Sequence, residues 1–250
     1  MNKTMIENND AYVLAQSENY IIINNNYCGL AIYDLELNFL KTVDILEGLL
    51  IYNIYSSTKD DKIIVFDAEN EKLFLVNLNN YSNVIQINRE EVFLNWFVSD
   101  KNWFALRDRR NEYQFSFKNG EELSRKQYHW QNNLSYNNEA CLFEKNNKLY
   151  LSRNNIIRKV SQEYDETKHY SFAEDYIVAY DEDEIIVKEK DAEVTINISR
   201  KSNWIIRAIL ARENKIILLI NDRMQVTKSK LIQCNIDKLF LLEEVLKNNQ

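Results

Sequence analysis

In DKIIVFDAENEKLFLVNL, apolar runs at residues 63–66 and 73–78 flank the polar stretch 67–72, and the pattern predicts a β-hairpin. It returns five more times, as ENYIIINNNYCGLAIYDL from Glu18, KNWFALRDRRNEYQFSF from Lys101, EACLFEKNNKLYLS from Glu139, DYIVAYDEDEIIVKE from Asp175 and ENKIILLINDRMQVTK from Glu213. Equivalent positions fall at Ile21, Ile63, Trp103, Cys141, Ile177 and Ile216, at steps of 42, 40, 38, 36 and 39 residues. A strand-like run precedes each hairpin (11–16, 49–55, 92–99, 128–135, 169–174, 203–210) and another follows it (39–45, 84–88, 121–126, 156–161, 193–198, 230–236). The repeating unit is four short strands joined by tight turns.

A period near forty residues with four strands per unit resembles the β-propeller superfamily. The expectation is one all-β domain, a six-bladed β-propeller, with blades at 11–45, 49–88, 92–126, 128–161, 168–198 and 203–236. The segment IYDLELNFLKTVDI, residues 32–45, is similar to the outer half of blades in bacterial six-bladed propellers. The Gly-His and Trp-Asp signatures of WD-repeat propellers and the Asp box of sialidase-type propellers are absent, so the resemblance stops at the architecture. A parallel β-helix is the competing all-β stack, but its coils are shorter and need no four-strand unit. In the tail, 238–250, Leu239, Leu242, Val245 and Leu246 recur at helical spacing, which predicts a short C-terminal helix or, failing that, a closing strand. Residues 1–10 are polar and read as a loose end or an extra edge strand.

Composition adds one structural point. Ile, Val and aromatic residues favour strands, yet there is no proline and there are only 3 glycines in 250 residues, so Asn and Asp must make the turns. A net charge of −7 and a pI near 5.1 argue against nucleic acid and permit a basic partner. No apolar run approaches the ~18 residues of a membrane span, and MNKTMIENND has no signal-like apolar segment. The 3 well-separated cysteines read as free thiols, so the expected setting is cytoplasmic, with a monomer as the expected state.

No nucleophile elbow, phosphate loop, dinucleotide fingerprint or metal-ligand spacing occurs, so no catalytic residue, metal or cofactor is expected. The two histidines, His129 and His169, read as inner-strand residues with satisfied hydrogen bonds. Three groups are candidates for binding. Tyr52, Trp96, Trp130, Tyr170 and Trp204 recur on the leading strands and, with charged neighbours, suit a protein-binding face. Arg107, Arg109 and Arg110 cluster at the third hairpin turn. Asp181, Glu182, Asp183 and Glu184 form the fifth hairpin turn, in the acidic stretch 163–193. The role these imply is a non-catalytic scaffold that binds another protein, with an immunity protein neutralising a basic toxin as one form of it. The alternatives are a hydrolase or lyase acting on a sugar or lactone through channel carboxylates, and a small-ligand sensor.

Overall fold

The computed structural model describes residues 1–80, 84–137, 140–154, 156–189, 192–197, 202–239 and 241–242. After an N-terminal strand β1 (Asn2–Ile6), the chain builds six four-stranded antiparallel sheets, the blades of a propeller. Blade 1 is β2 (Leu14–Gln16), β3 (Ile21–Asn25), β4 (Gly29–Tyr33) and β5 (Phe39–Asp44). Blade 2 is β6 (Ile51–Ser57), β7 (Asp60–Asp67), β8 (Lys72–Asn77) and β9 (Ile85–Asn88). Blade 3 is β10 (Phe97–Asp100), β11 (Trp103–Arg107), β12 (Asn111–Ser116) and β13 (Glu122–Gln127). Blade 4 is β14 (Asn132–Asn137), β15 (Ala140–Lys145), β16 (Lys148–Arg153) and β17 (Ile156–Glu163). Blade 5 is β18 (His169–Phe172), β19 (Tyr176–Tyr180), β20 (Glu184–Glu189) and β21 (Ala192–Asn197). Blade 6 contains β22 (Trp204–Arg212), β23 (Lys215–Asp222) and β24 (Ser229–Asn235).

Leading strands of neighbouring blades touch, β2 with β6, β6 with β10, β14 with β18, β18 with β22 and β22 with β2, so they surround a central channel. Ring closure falls to the N-terminus. β1 pairs antiparallel with β24, from Asn2 opposite Gln233 to Ile6 opposite Ser229, and supplies the outer strand of blade 6. Where the C-terminal helix was expected, the described residues show a 3-10 turn, Ile236–Lys238, with Leu239, Leu241 and Leu242 in helical conformation after it. Leu239 and Leu242 do bury against blades 5 and 6, whereas Val245 and Leu246 lie outside the described residues.

The continuous apolar runs reflect burial on both faces. Successive side chains of a strand point to opposite sides, and here both sides meet another blade. Ile63, Val65, Phe74 and Val76 pack towards blade 1, while Ile64, Phe66, Leu73 and Leu75 pack towards blade 3. Outer strands have only one neighbour and are polar, as in β13, where five of six positions are exposed.

Asn and Asp divide the turns between them. Among the described residues, five of the eight non-glycine residues with positive φ are Asn: Asn8, Asn26, Asn146, Asn147 and Asn154. Asp instead closes the second strand of blades 2, 3, 5 and 6. Asp67, Asp108, Asp181 and Asp222 each accept backbone N–H groups of the turn that follows.

Candidate functional site

Clusters of buried apolar residues join blades 1 and 2, 2 and 3, 4 and 5, 5 and 6, and 6 and 1. Among the described residues no such cluster spans blades 3 and 4, where Tyr136 of β14 reaches Phe97, ring centres 6.1 Å apart, at the margin of the cluster of blades 2 and 3. There Arg107 sits 3.7 Å from the centre of the Trp96 ring and 4.7 Å from that of Tyr128. Its Nη2 and Nε donate to the Glu112 carboxylate at 2.7 and 2.9 Å. A guanidinium kept charged between two rings needs its polar partners, so at Arg107 the seam does not close as an apolar contact, and beside it the surface opens into a cleft of about 720 Å³.

The cleft lies on the rim where leading strands begin and where the second and third strands of each blade turn. Its apolar walls are Tyr52, Val92 and Trp130, which are 63%, 59% and 55% exposed. Phe93, buried, forms part of the floor and meets the Phe66 and Tyr113 rings edge-on at 5.6 and 5.8 Å. Tyr52 is held edge-on against Phe66 at 5.8 Å. Asn53, Asn95, Asn132 and Asn133 add amides, and Asn133 Nδ2 is buried without a hydrogen-bond partner. Arg109 and Arg110 stand at the edge, exposed and in no ion pair among the described residues.

The arginine turn is shaped by Asp108, whose carboxylate accepts the Arg110 and Asn111 N–H groups, both at 2.6 Å, and the Tyr113 hydroxyl at 2.7 Å. Burial works against its charge, but these donors prevail and hold its pKa below the ordinary 3.8. Because the unfolded chain binds this proton more readily, the stabilisation is present above the ordinary value and is lost as pH falls through the lower folded value. Stability should therefore hold down to about pH 4 and decline below it. Asp108→Ala should cost roughly 1–2 kcal/mol at neutral pH and flatten that decline, read by denaturant unfolding across pH; an unchanged acid slope would show that the turn does not depend on this carboxylate.

Of the residues singled out in the sequence, Tyr52, Trp130, Arg109 and Arg110 come together at this cleft. Arg107 and Trp96 lie just behind it, locked on each other. Tyr170 and Trp204 are buried and belong to the packing. The Tyr170 hydroxyl accepts the Asp165 N–H at 2.7 Å, and Lys230 Nζ lies 3.9 Å from the Trp204 ring centre. The acidic turn is on the same rim but largely answered from within. Lys168 bridges Asp181 and Glu184 at 2.5 and 2.6 Å, Arg223 bonds Asp183, and Arg207 lies 3.6 Å from Glu182. His129 is exposed and precedes β14, outside any strand, whereas His169 lies against Tyr180 at the channel. The thiols are free; burial pushes Cys141 up to about 12 and raises Cys28 and Cys234.

Val92, Phe93 and Asn95 were not among the candidates. They belong to a connecting segment, and only the Asp that recurs at the end of the second strand in blades 2, 3, 5 and 6 could have pointed to the rim they share.

The cleft runs into the central channel, about 430 Å³, through the shared residues Tyr52, Asn53 and Asn95. The channel lining carries Arg207, Arg212 and His169 and, among the described residues, no carboxylate. The acid pair that sugar or lactone chemistry requires is thus not assembled there. No helix among the described residues is long and apolar enough to cross a membrane.

No protein-family model matches the chain, and no curated protein matches it in sequence. Solved structures match it in fold. The β-propeller domain of Cps50 (Swd1) from Myceliophteria thermophila superposes with a TM-score of 0.60 at 12% identity, covering 91% of this chain and 97% of that one. Hsv2 from Kluyveromyces lactis, with its loop 6CD complete, gives a TM-score of 0.52 at 10% identity, covering 85% of this chain and 73% of that one. At these identities the likeness establishes the propeller fold and nothing finer.

Proposed function

We propose that this chain is a non-catalytic scaffold that binds another protein through the cleft between blades 3 and 4. The observation that carries the reading is the pairing of two exposed aromatic rings, Tyr52 and Trp130, over a buried aromatic floor. Rigid rings offer large contact area at low entropic cost and are the usual anchors of protein interfaces. With Arg109 and Arg110 unpaired at its edge, the cleft suits an acidic segment carrying an apolar side chain.

Neutralisation of a toxin is the finer form of this reading. A net charge of −7 would speed encounter with a basic toxin. Contact at the cleft would still be made through arginines, because the acidic turn is already ion-paired within the chain. Affinity for a captured partner tests both levels. Tyr52→Ala and Trp130→Ala should each weaken binding roughly 30-fold, as for interface anchors worth about 2 kcal/mol, while the distant exposed Leu123→Ala leaves it unchanged. Equal binding by all three variants would remove the cleft from consideration. A partner encoded beside this protein, toxic when expressed alone, would establish the immunity role; a partner without toxicity would leave only the scaffold.

A further inference from the structure

We propose that the central channel binds a small oxyanion, a carboxylate or phosphate-type group, at Arg212. This inference is independent of the protein-binding reading. Arg212 ends β22 and so lies at the end of the channel away from the cleft. Its Nε is buried without a hydrogen-bond partner. Among the described residues it forms no ion pair, and the groups whose charge bears on it are the phenols Tyr136 and Tyr176. Both are engaged elsewhere: the Tyr136 hydroxyl accepts the Ser56 N–H at 3.2 Å, and the Tyr176 hydroxyl donates to the Lys215 carbonyl. Burial holds Tyr136 neutral up to about 12. Arginine does not discard its proton in proteins, so the charge stays and the protein supplies no counter-charge.

The surroundings are those of an anion site. Ser56, Ser135, Tyr136 and Ser171 bring hydroxyls to the same end of the channel. Ser171 Oγ accepts the Ala211 N–H at 2.8 Å, which leaves its own O–H free to donate. At the other end, a register break between Ile206 and Ala208 leaves Arg207 without a partner in the ladder and places it in the channel lining, its guanidinium 3.6 Å from Glu182; bulges commonly re-aim a side chain in this way. Five residues of strand, roughly 16 Å, separate the two arginines. With Arg212 unanswered and no carboxylate in the described lining, its end of the channel is locally cationic in a protein of net charge −7. Its volume of about 430 Å³ accommodates a small ligand.

The test uses the full chain in a thermal-shift series with phosphate, sulfate, citrate and, as the ionic-strength control, chloride. At a hundredfold excess over Kd, phosphate or citrate should raise the unfolding temperature by roughly 5–10 °C, and chloride should not. Phosphate acting alone assigns a phosphate-type ligand, citrate acting alone a carboxylate. Arg212→Gln should abolish the rise and the exposed Arg158→Gln should retain it. No rise with any oxyanion, or the same rise in Arg212→Gln, overturns the proposal. Should Arg212→Gln fail to fold, crystals of the unaltered chain soaked in tungstate decide: a heavy-atom peak beside Arg212 supports the site, and peaks only at surface lysines reject it.

Discussion

Asp61→Ala should lower the stability of the protein by roughly 3–4 kcal/mol and its unfolding temperature by roughly 10 °C. Asp61 is 3% exposed and stands at the start of β7, the second strand of blade 2, where it ties down the first turn of blade 1. Its carboxylate accepts the Ser17 hydroxyl at 2.8 Å, the Asn19 N–H at 3.0 Å and the Asn19 amide at 2.7 Å, with the Asn79 amide at 3.3 Å. Alanine leaves these donors without an acceptor in a place water reaches poorly, and an unmade buried bond costs more than a made one contributes. Asp61→Asn should be milder by about half, since its carbonyl can still receive Ser17 and the Asn19 N–H while the facing amides rotate. Chemical unfolding of the three proteins checks the order. An alanine variant within about 0.5 kcal/mol of the parent would mean that the apolar seam alone holds blades 1 and 2 together. The turn lies on the rim opposite the cleft, so partner binding by the folded fraction should be unaffected.

The second large effect concerns closure of the ring. Ile6 is the buried end of β1 and packs with Ile21, Ile23 and Tyr33 of blade 1 and Ile217, Leu219 and Leu231 of blade 6. Ile6→Ala removes that contact from the seam where the two ends of the chain meet, and should cost roughly 2–4 kcal/mol, or about 4–16 °C in unfolding temperature. Met5, its neighbour, is 47% exposed on the outer face of the same strand, and Met5→Ala should change stability by less than about 0.5 kcal/mol. This contrast between adjacent residues separates strand pairing from generic hydrophobicity. Equal effects at the two positions would show that β1 does not seat with the register of Ile6 opposite Ser229.

The architecture was legible because propeller blades are sandwiched. The middle strands bury both faces, so runs such as 63–66 and 73–78 stand out against polar turns, and their recurrence announces the unit. Outer strands such as β13 bury little and read weakly, which is why residues 1–10 read equally as a loose end or an extra edge strand, and only the pairing with β24 makes them the latter. The C-terminal leucines carried a true burial signal, for Leu239 and Leu242 both pack into the core just after the 3-10 turn.

The candidate site was legible only in part. Exposed and buried aromatics look alike in a sequence: Trp130 and Trp204 both precede or open leading strands, but one faces solvent and the other lies beneath Lys230. Charge clusters mislead in the same way. Among the described residues Arg109 and Arg110 form no ion pair, while 181–184 are matched by Lys168, Arg207 and Arg223, which lie 13 to 40 residues away along the chain. The sequence by itself determined the repeat, the four-strand composition of blades 1 to 5 and the Asn and Asp turns, all of which follow from local periodicity and backbone preference, whereas in blade 6 the run 230–236 is the third strand and the fourth comes from the N-terminus. Only the tertiary structure decided which seam stays open, which charges are answered and where Arg212 is left alone, because each depends on side chains from different blades meeting in space.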